Sequence, residues 1–154
     1  MDRSIPFAIL NVLIYWYSMC SVVVHWDNTF SNLVQLQCGV RQGGILSPAL
    51  FALYVNDLIL ALSRSGHGCY FNNMFVRCVM YADDLLLLSA SLCDLQSTIN
   101  ICCEELDKLD MTVNVKKSQL MRIGRLHNKA VHGVVLNGEL IECVDELKLS
   151  LIHI

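Results

Sequence analysis

Apolar and polar positions along this chain switch repeatedly between helical and strand spacing. Pro6 stands before an apolar run, and proline is tolerated in a first helical turn, so a helix is expected from there to about Met19. Residues 21–26 are β-branched or aromatic and predict a strand that turns at Asp27-Asn28. Leu33, Gln35 and Gln37 alternate with Val34, Leu36 and Cys38, so a second strand leads into Gly39 and completes a hairpin. At Ser47-Pro48 the serine can cap free N–H groups and the proline fits the first helical position. Residues 49–62 are apolar on most faces and predict a buried helix, ended by Gly66 and Gly68.

Tyr70-Phe71 and Phe75-Val76 flank Asn72-Asn73, the composition of a tight turn. Residues 79–89 are expected to form a strand pair, or one bent strand, around Asp83-Asp84. The clearest helical period follows: Leu92, Leu95, Ile99, Cys102, Leu106 and Leu109 share one stripe, with Asp94, Glu104, Glu105 and Lys108 mostly off it. Residues 111–115 and 119–123 read as short strands. Val134-Val135-Leu136 and Glu139-Leu140-Ile141 flank Asn137-Gly138, a strong hairpin signal. There is no internal repeat and no low-complexity tract.

The chain has 154 residues, enough for one domain or a piece of a larger protein. It is 55% hydrophobic and only 16% charged, against the usual quarter. That leaves a membrane protein or the interior-rich part of a larger one. Residues 7–24 are nearly long enough to span a bilayer and carry no charge. Asn11, Ser18 and Ser21 interrupt them, however, Tyr15-Trp16-Tyr17 sits mid-stretch, and no cleavage pattern follows. No membrane association is therefore expected, and a small membrane-anchored protein is the weaker alternative.

The net charge of −3 disfavours nucleic-acid binding by the whole surface. Residues 111–130 nevertheless contain no acid while holding Lys116, Lys117, Arg122, Arg125 and Lys129. Such a strip is either a solvated loop or a track for a phosphate backbone. The eight cysteines are scattered, without a Cys-x-x-Cys pair or a histidine at zinc spacing. They predict buried free thiols in an intracellular protein of the cytoplasm or nucleus, not a secreted one.

Asp83 and Asp84 lie between Val79-Met80-Tyr81-Ala82 and Leu85-Leu86-Leu87-Leu88. Ionised groups in apolar surroundings are costly without partners, and paired carboxylates with open positions suit Mg²⁺. A turn at Ala82-Asp83 would lift both acids to a sheet edge; a plain polar turn is the other account of the pair. Upstream, Gly39-Val40-Arg41-Gln42-Gly43-Gly44-Ile45-Leu46-Ser47-Pro48 combines backbone freedom, a cation and a helix start favourable to anions.

The loop first and the acidic pair after it closely resemble the reverse transcriptases of non-LTR (LINE-type) retrotransposons. Phe51, Tyr54 and Asn56-Asp57-Leu58 resemble the helix after that family's glycine loop. The stretch ending in Asn114-Val115-Lys116-Lys117-Ser118 resembles its helix and strand after the acidic turn. Asp2-Arg3-Ser4-Ile5-Pro6 and Tyr15-Trp16-Tyr17-Ser18 extend the likeness over nearly the whole chain.

The resemblance implies an α+β fold, a partial right-hand polymerase palm with an antiparallel sheet packed against helices. It implies RNA template, DNA primer and dNTP as partners and two Mg²⁺ ions in the intact enzyme. Asp83 and Asp84 would be the catalytic, metal-binding pair. Tyr81 and Ala82 would lie near the primer end, and Arg41, Gln42, Gly43 and Gly44 at the incoming nucleotide and template base. Lys116, or else Lys117, would protonate the leaving pyrophosphate.

The family's first metal-binding aspartate precedes the segment matched here, and Asp2 has no strand before it to take that place. Residues 1–125 are thus expected to form a partial palm without the upstream acidic strand and fingers. Residues 126–154 are expected to be a hairpin leading toward a truncated thumb. The fragment is expected to be inactive alone, and a remnant that binds nucleic acid weakly through its basic strip is the non-enzymatic alternative.

Overall fold

The computed structural model describes residues 5–37, 39, 42–125, 133–149 and 152–153. The chain divides into two compact units, Met1–Ser47 and Pro48–Ile154.

In the first unit, α1 (Phe7–Ser18) starts after Pro6, whose carbonyl accepts from the N–H groups of Ile9 and Leu10. A strand pair follows, β1 (Ser21–Val22) antiparallel to β4 (Val34–Gln35). Between them β2 (His25–Trp26) pairs with β3 (Thr29–Phe30) across Asp27-Asn28, whose φ values of 41° and 61° are those of a type I′ turn. The strand expected over 21–26 is interrupted because the Val24 N–H donates to the Ser31 hydroxyl instead of to a ladder carbonyl. No described residue of this unit is buried, and Phe7 is 76% exposed. Among the described residues no helix is long and apolar enough to cross a membrane.

In the second unit the helix expected over 49–62 is two helices, α2 (Ser47–Tyr54) and α3 (Asn56–Arg64). The joint is Val55, at φ −86° and ψ 0°, just before an asparagine of weak helix propensity. Burial is also narrower than expected: Val55, Leu58 and Leu62 are buried, while Leu53 and Tyr54 are exposed. The β5 (Cys69–Phe71) and β6 (Met74–Val76) hairpin closes at Asn72 and Asn73, with φ 46° and 64°. Next come β7 (Cys78–Tyr81), β8 (Asp84–Leu87) and α4 (Leu92–Asp107). Ser91 caps α4 by accepting from the Asp94 N–H at 3.1 Å, and the Asp94 carboxylate holds the His67 ring at 3.1 Å.

The strand expected over 111–115 does not form. Asn114 instead caps a 3₁₀ turn, Val115–Lys117, and its carbonyl also accepts from the Ser118 hydroxyl, so local bonds take the place of a ladder. After it, β9 (Gln119–Met121) runs parallel to β12 (Glu142–Val144). The β10 (Val135–Leu136) and β11 (Glu139–Leu140) hairpin turns at Asn137-Gly138, and β13 (Lys148–Leu149) pairs with β14 (Ile152–His153). Among the described residues all ladders are two-stranded, six of them antiparallel and one parallel. The α+β content and antiparallel pairing that the resemblance implies are present, as small two-stranded ribbons among helices. Their strands are two to four residues long, and most pair with the next strand in the chain, as β5 does with β6 and β7 with β8.

The core lies between α3 and α4. Leu58 and Leu62 meet Cys102 and Leu106, with Cys78, Leu85, Leu87, Met111 and Val113 packed around them. A second cluster joins Ile99 to Val134 and Leu136. The α4 side chain of Gln96 binds β10 as a neighbouring strand would: its amide donates to the Val135 carbonyl at 2.8 Å and its oxygen accepts from the Val135 N–H at 2.7 Å. Gln96→Ala leaves both backbone groups part-buried and unpaired, and is expected to lower stability by roughly 1–3 kcal/mol. A urea titration checks this; an unchanged midpoint would mean that water replaces the side chain.

Burial of the thiols is also less general than expected. Among the described cysteines, none in a disulfide, only Cys102 is buried; Cys93 and Cys143 are exposed and the rest are half-buried. Burial, with smaller contributions from Cys103 and Cys78, pushes the Cys102 thiol up to about 12, so it stays protonated at neutral pH.

Candidate functional site

The acidic pair sits at the end of the β7–β8 hairpin. The register pairs Cys78 with Leu87, Val79 with Leu86, Met80 with Leu85 and Tyr81 with Asp84, leaving Ala82-Asp83 as a two-residue turn. Pleating puts alternate residues on opposite faces. Cys78, Leu85 and Leu87 pack on the α3–α4 core, while Val79 and Tyr81, on the other face, are 46% and 56% exposed. Asp84 belongs to that outer face, and Asp83 is exposed in the turn. Because one face is anchored, the other must carry Tyr81 and Asp84 outward.

Ala82 adopts φ 51°, a left-handed angle that crowds Cβ against the following carbonyl. Two-residue hairpin turns favour glycine there. Ala82→Gly should relieve about 1–2 kcal/mol of strain, against about 0.4–1 kcal/mol lost to a freer unfolded chain. The expected result is unchanged or slightly raised stability in thermal unfolding; clear destabilisation would show that Ala82 carries a needed contact.

Among the described residues, neither Asp83 nor Asp84 has a side-chain hydrogen bond or ion pair. Two adjacent, unpartnered carboxylates are a hard oxygen donor set. This matches Mg²⁺, which commonly takes one or two carboxylates and completes its shell with water and substrate phosphates. No group of three potential ligands occurs among the described residues.

Lys116 and Lys117 are exposed on the 3₁₀ turn, and no bond joins either to the acidic pair among the described residues. Arg125 is exposed and Arg122 half-buried, while Lys129 lies outside the described residues. The glycine loop belongs to the first unit. Gly39 and Gly43 have φ values of 95° and 76°, with open space where a Cβ would stand, so conformation rather than crowding calls for glycine. Gln42 is exposed, the Gly44 carbonyl accepts from the Ser47 N–H at the start of α2, and Arg41 lies outside the described residues. Tyr81, Ala82, Asp83 and Asp84 are thus brought together on one hairpin.

One constellation was not anticipated. Tyr70 and Phe75 face each other across the β5–β6 ladder with ring centroids 4.9 Å apart, and the Arg77 guanidinium lies 4.4 Å from the Phe75 centroid. The signal was present in the two-residue Asn72-Asn73 turn, which sets Tyr70 opposite Phe75, and in the i, i+2 spacing of Phe75 and Arg77. Gly68 makes room for it: a Cβ there would stand 2.9 Å from both the Phe75 ring and the Arg77 stem.

Residues 5–139 match the family described as Reverse transcriptase (RNA-dependent DNA polymerase), and the chain belongs to that family. Among curated proteins it is similar to the Retrovirus-related Pol polyprotein from type-1 retrotransposable element R2 of Popillia japonica. The two are 28% identical over 105 residues, which cover 66% of this chain and 17% of that protein. It is also similar to the protein of the same description from Bradysia coprophila, 29% identical over 117 residues, 76% of this chain and 13% of that protein. The chain thus spans less than a fifth of the length of these relatives. The LINE-type resemblance carried by the glycine loop and the acidic pair is borne out: this is part of the reverse transcriptase domain of a non-LTR element.

Proposed function

We propose that the chain is a piece of the palm of an RNA-directed DNA polymerase, with Asp83 and Asp84 as its metal-binding carboxylates. The observation that carries this reading is the β7–β8 hairpin, which fixes one face in the core and presents at its tip two acids with no side-chain partner among the described residues. Residues 1–125 are assigned to the palm, and residues 126–154 to a hairpin leading toward a thumb. RNA template, DNA primer and dNTP are the substrates. In the reaction the primer 3′-hydroxyl oxygen bonds to the α-phosphorus, its proton passing to water, and the bond from that phosphorus to the β-phosphate's bridging oxygen breaks to release pyrophosphate. Bound Mg²⁺ would supply charge neutralisation for the phosphates. Asp83 and Asp84 would hold that ion, Tyr81 and Ala82 would border the primer end, and Arg41, Gln42, Gly43 and Gly44 the nucleotide and template base. Lys116, exposed and cationic, gives a proton to the leaving pyrophosphate.

Among the described residues no third carboxylate joins the pair, and in this reading the chain is inactive by itself. Primer extension on an RNA template with Mg²⁺ and dNTPs tests it: no extension is expected. Robust extension that disappears in Asp83→Ala would overturn the inactivity while upholding the role of the acid. The exposed Lys116, Lys117 and Arg125 favour a second reading, weak, salt-sensitive nucleic-acid binding that Asp83→Asn leaves unchanged.

A further inference from the structure

The Tyr70–Phe75–Arg77 ladder includes none of the residues given a catalytic or binding role above. Tyr70 is 77% exposed, so the side of its ring away from Phe75 is open to solvent among the described residues. Phe75, half-buried and tilted 53° to the Tyr70 ring, supports it from behind, and the Arg77 guanidinium lies over the same Phe75 ring. The Arg77 Nε is buried without a hydrogen-bond partner, and the guanidinium makes no ion pair among the described residues. Its charge is thus held by packing rather than neutralised. The sequence around it has the same bias: from Leu58 to Ala82 there is no aspartate or glutamate, while Arg64, His67 and Arg77 fall within the stretch. Within it the His67 ring is held by the Asp94 carboxylate at 3.1 Å.

An open aromatic face backed by a second ring, beside an uncompensated guanidinium, is the chemistry that takes an unpaired nucleobase and its phosphate. Each base so stacked contributes about 1–3 kcal/mol and is read without regard to its identity. A duplex hides its base faces and gains only the charge. We propose that the β5–β6 hairpin is a stacking platform for an unpaired base of an RNA or DNA strand, with Tyr70 under the base and Arg77 beside the backbone. The proposal rests on the nucleic-acid reading above and adds to it a site separate from the acidic hairpin.

The test is binding of fluorescent oligo(rU), oligo(dT) and a duplex of equal length to the whole chain. Tyr70→Leu, at an exposed position, should weaken both single strands roughly ten-fold. It should leave the duplex within two-fold, and Tyr70→Phe, which keeps the ring, should bind as the parent does. Arg77→Gln should lower the salt slope for the single strands by about 0.7, the share of one phosphate contact. A strand carrying 5-iodouracil should crosslink to Tyr70 on irradiation. Loss with only one sugar type identifies that strand as the ligand and supports the platform. Unchanged single-strand affinity in Tyr70→Leu overturns it. If affinity then falls only when Lys116 and Lys117 are both replaced by alanine, the nucleic-acid reading stands without the platform. If the parent chain binds no strand, both fall.

Discussion

Asp83→Asn is expected to weaken divalent-cation binding at the β7–β8 turn at least about ten-fold while leaving the fold intact. The carboxylates have no side-chain partner among the described residues, so the folded state does not depend on their charge. Asparagine keeps the size of the side chain, and its effect on stability should be within about 0.5 kcal/mol, as at other exposed sites. Cation binding does depend on the charge, because a hard ion gains little from a neutral amide. Mn²⁺ is the useful probe, since it shares the oxygen preference of Mg²⁺ and broadens nearby amide resonances. Titration should first broaden the amides of residues 81–85, and Asp83→Asn or Asp84→Asn should raise the concentration needed by at least about ten-fold, a loss of about 1.4 kcal/mol. Broadening spread evenly over the surface acids, or unchanged in both variants, would remove the pair from any metal-binding role.

Leu62→Ala should have the largest effect on stability. Leu62 is 0% exposed and stands in the cluster with Leu58, Cys102 and Leu106. Emptying such a site costs about 2–5 kcal/mol from lost transfer energy and the cavity left behind. A domain holds only about 5–15 kcal/mol in total, so the variant should be largely unfolded well below the parent's melting range. Val79→Ala is the matched control, because Val79 is on the outer face of β7 and 46% exposed. Far-ultraviolet circular dichroism through a urea series reads both. Equal midpoints for the two variants would mean that α3 and α4 do not hold the core. Since Cys78, Leu85 and Leu87 pack on the same cluster, Leu62→Ala should also lose the cation response of the turn.

The features legible in the sequence were those set by residues close together in the chain. The stripe from Leu92 to Leu106 marks α4, and the pairs Asp27-Asn28, Asn72-Asn73 and Asn137-Gly138 mark tight turns because they tolerate positive φ. The acidic hairpin was legible for the same reason. Residues 111–115 show what local pattern leaves out. Their alternation is real, since Met111 and Val113 do pack on the core, but no partner strand is supplied among the described residues and Asn114 closes the backbone on itself. Burial was overestimated because composition counts apolar residues without saying which have something to pack against. Ile45, 97% exposed, is the extreme case. The parallel pairing of Gln119 with Glu142 and the clasp of Gln96 on Val135 join residues far apart in sequence, and neither has a local signature. The glycine loop was recognisable through its φ requirements at Gly39 and Gly43, which are again properties of single residues.

The β7–β8 hairpin also constrains how this sequence can change. Its acids are placed by parity: even positions from Cys78 to Met80 face inward, and the partner strand answers with Leu85 and Leu87. An insertion or deletion of one residue in either strand exchanges the two faces, turning Asp84 and Tyr81 toward leucines while the leucines meet water. A change of two residues preserves the faces but shifts the turn. Substitutions can therefore accumulate on the outer face one at a time, whereas length changes are tolerated only outside this hairpin.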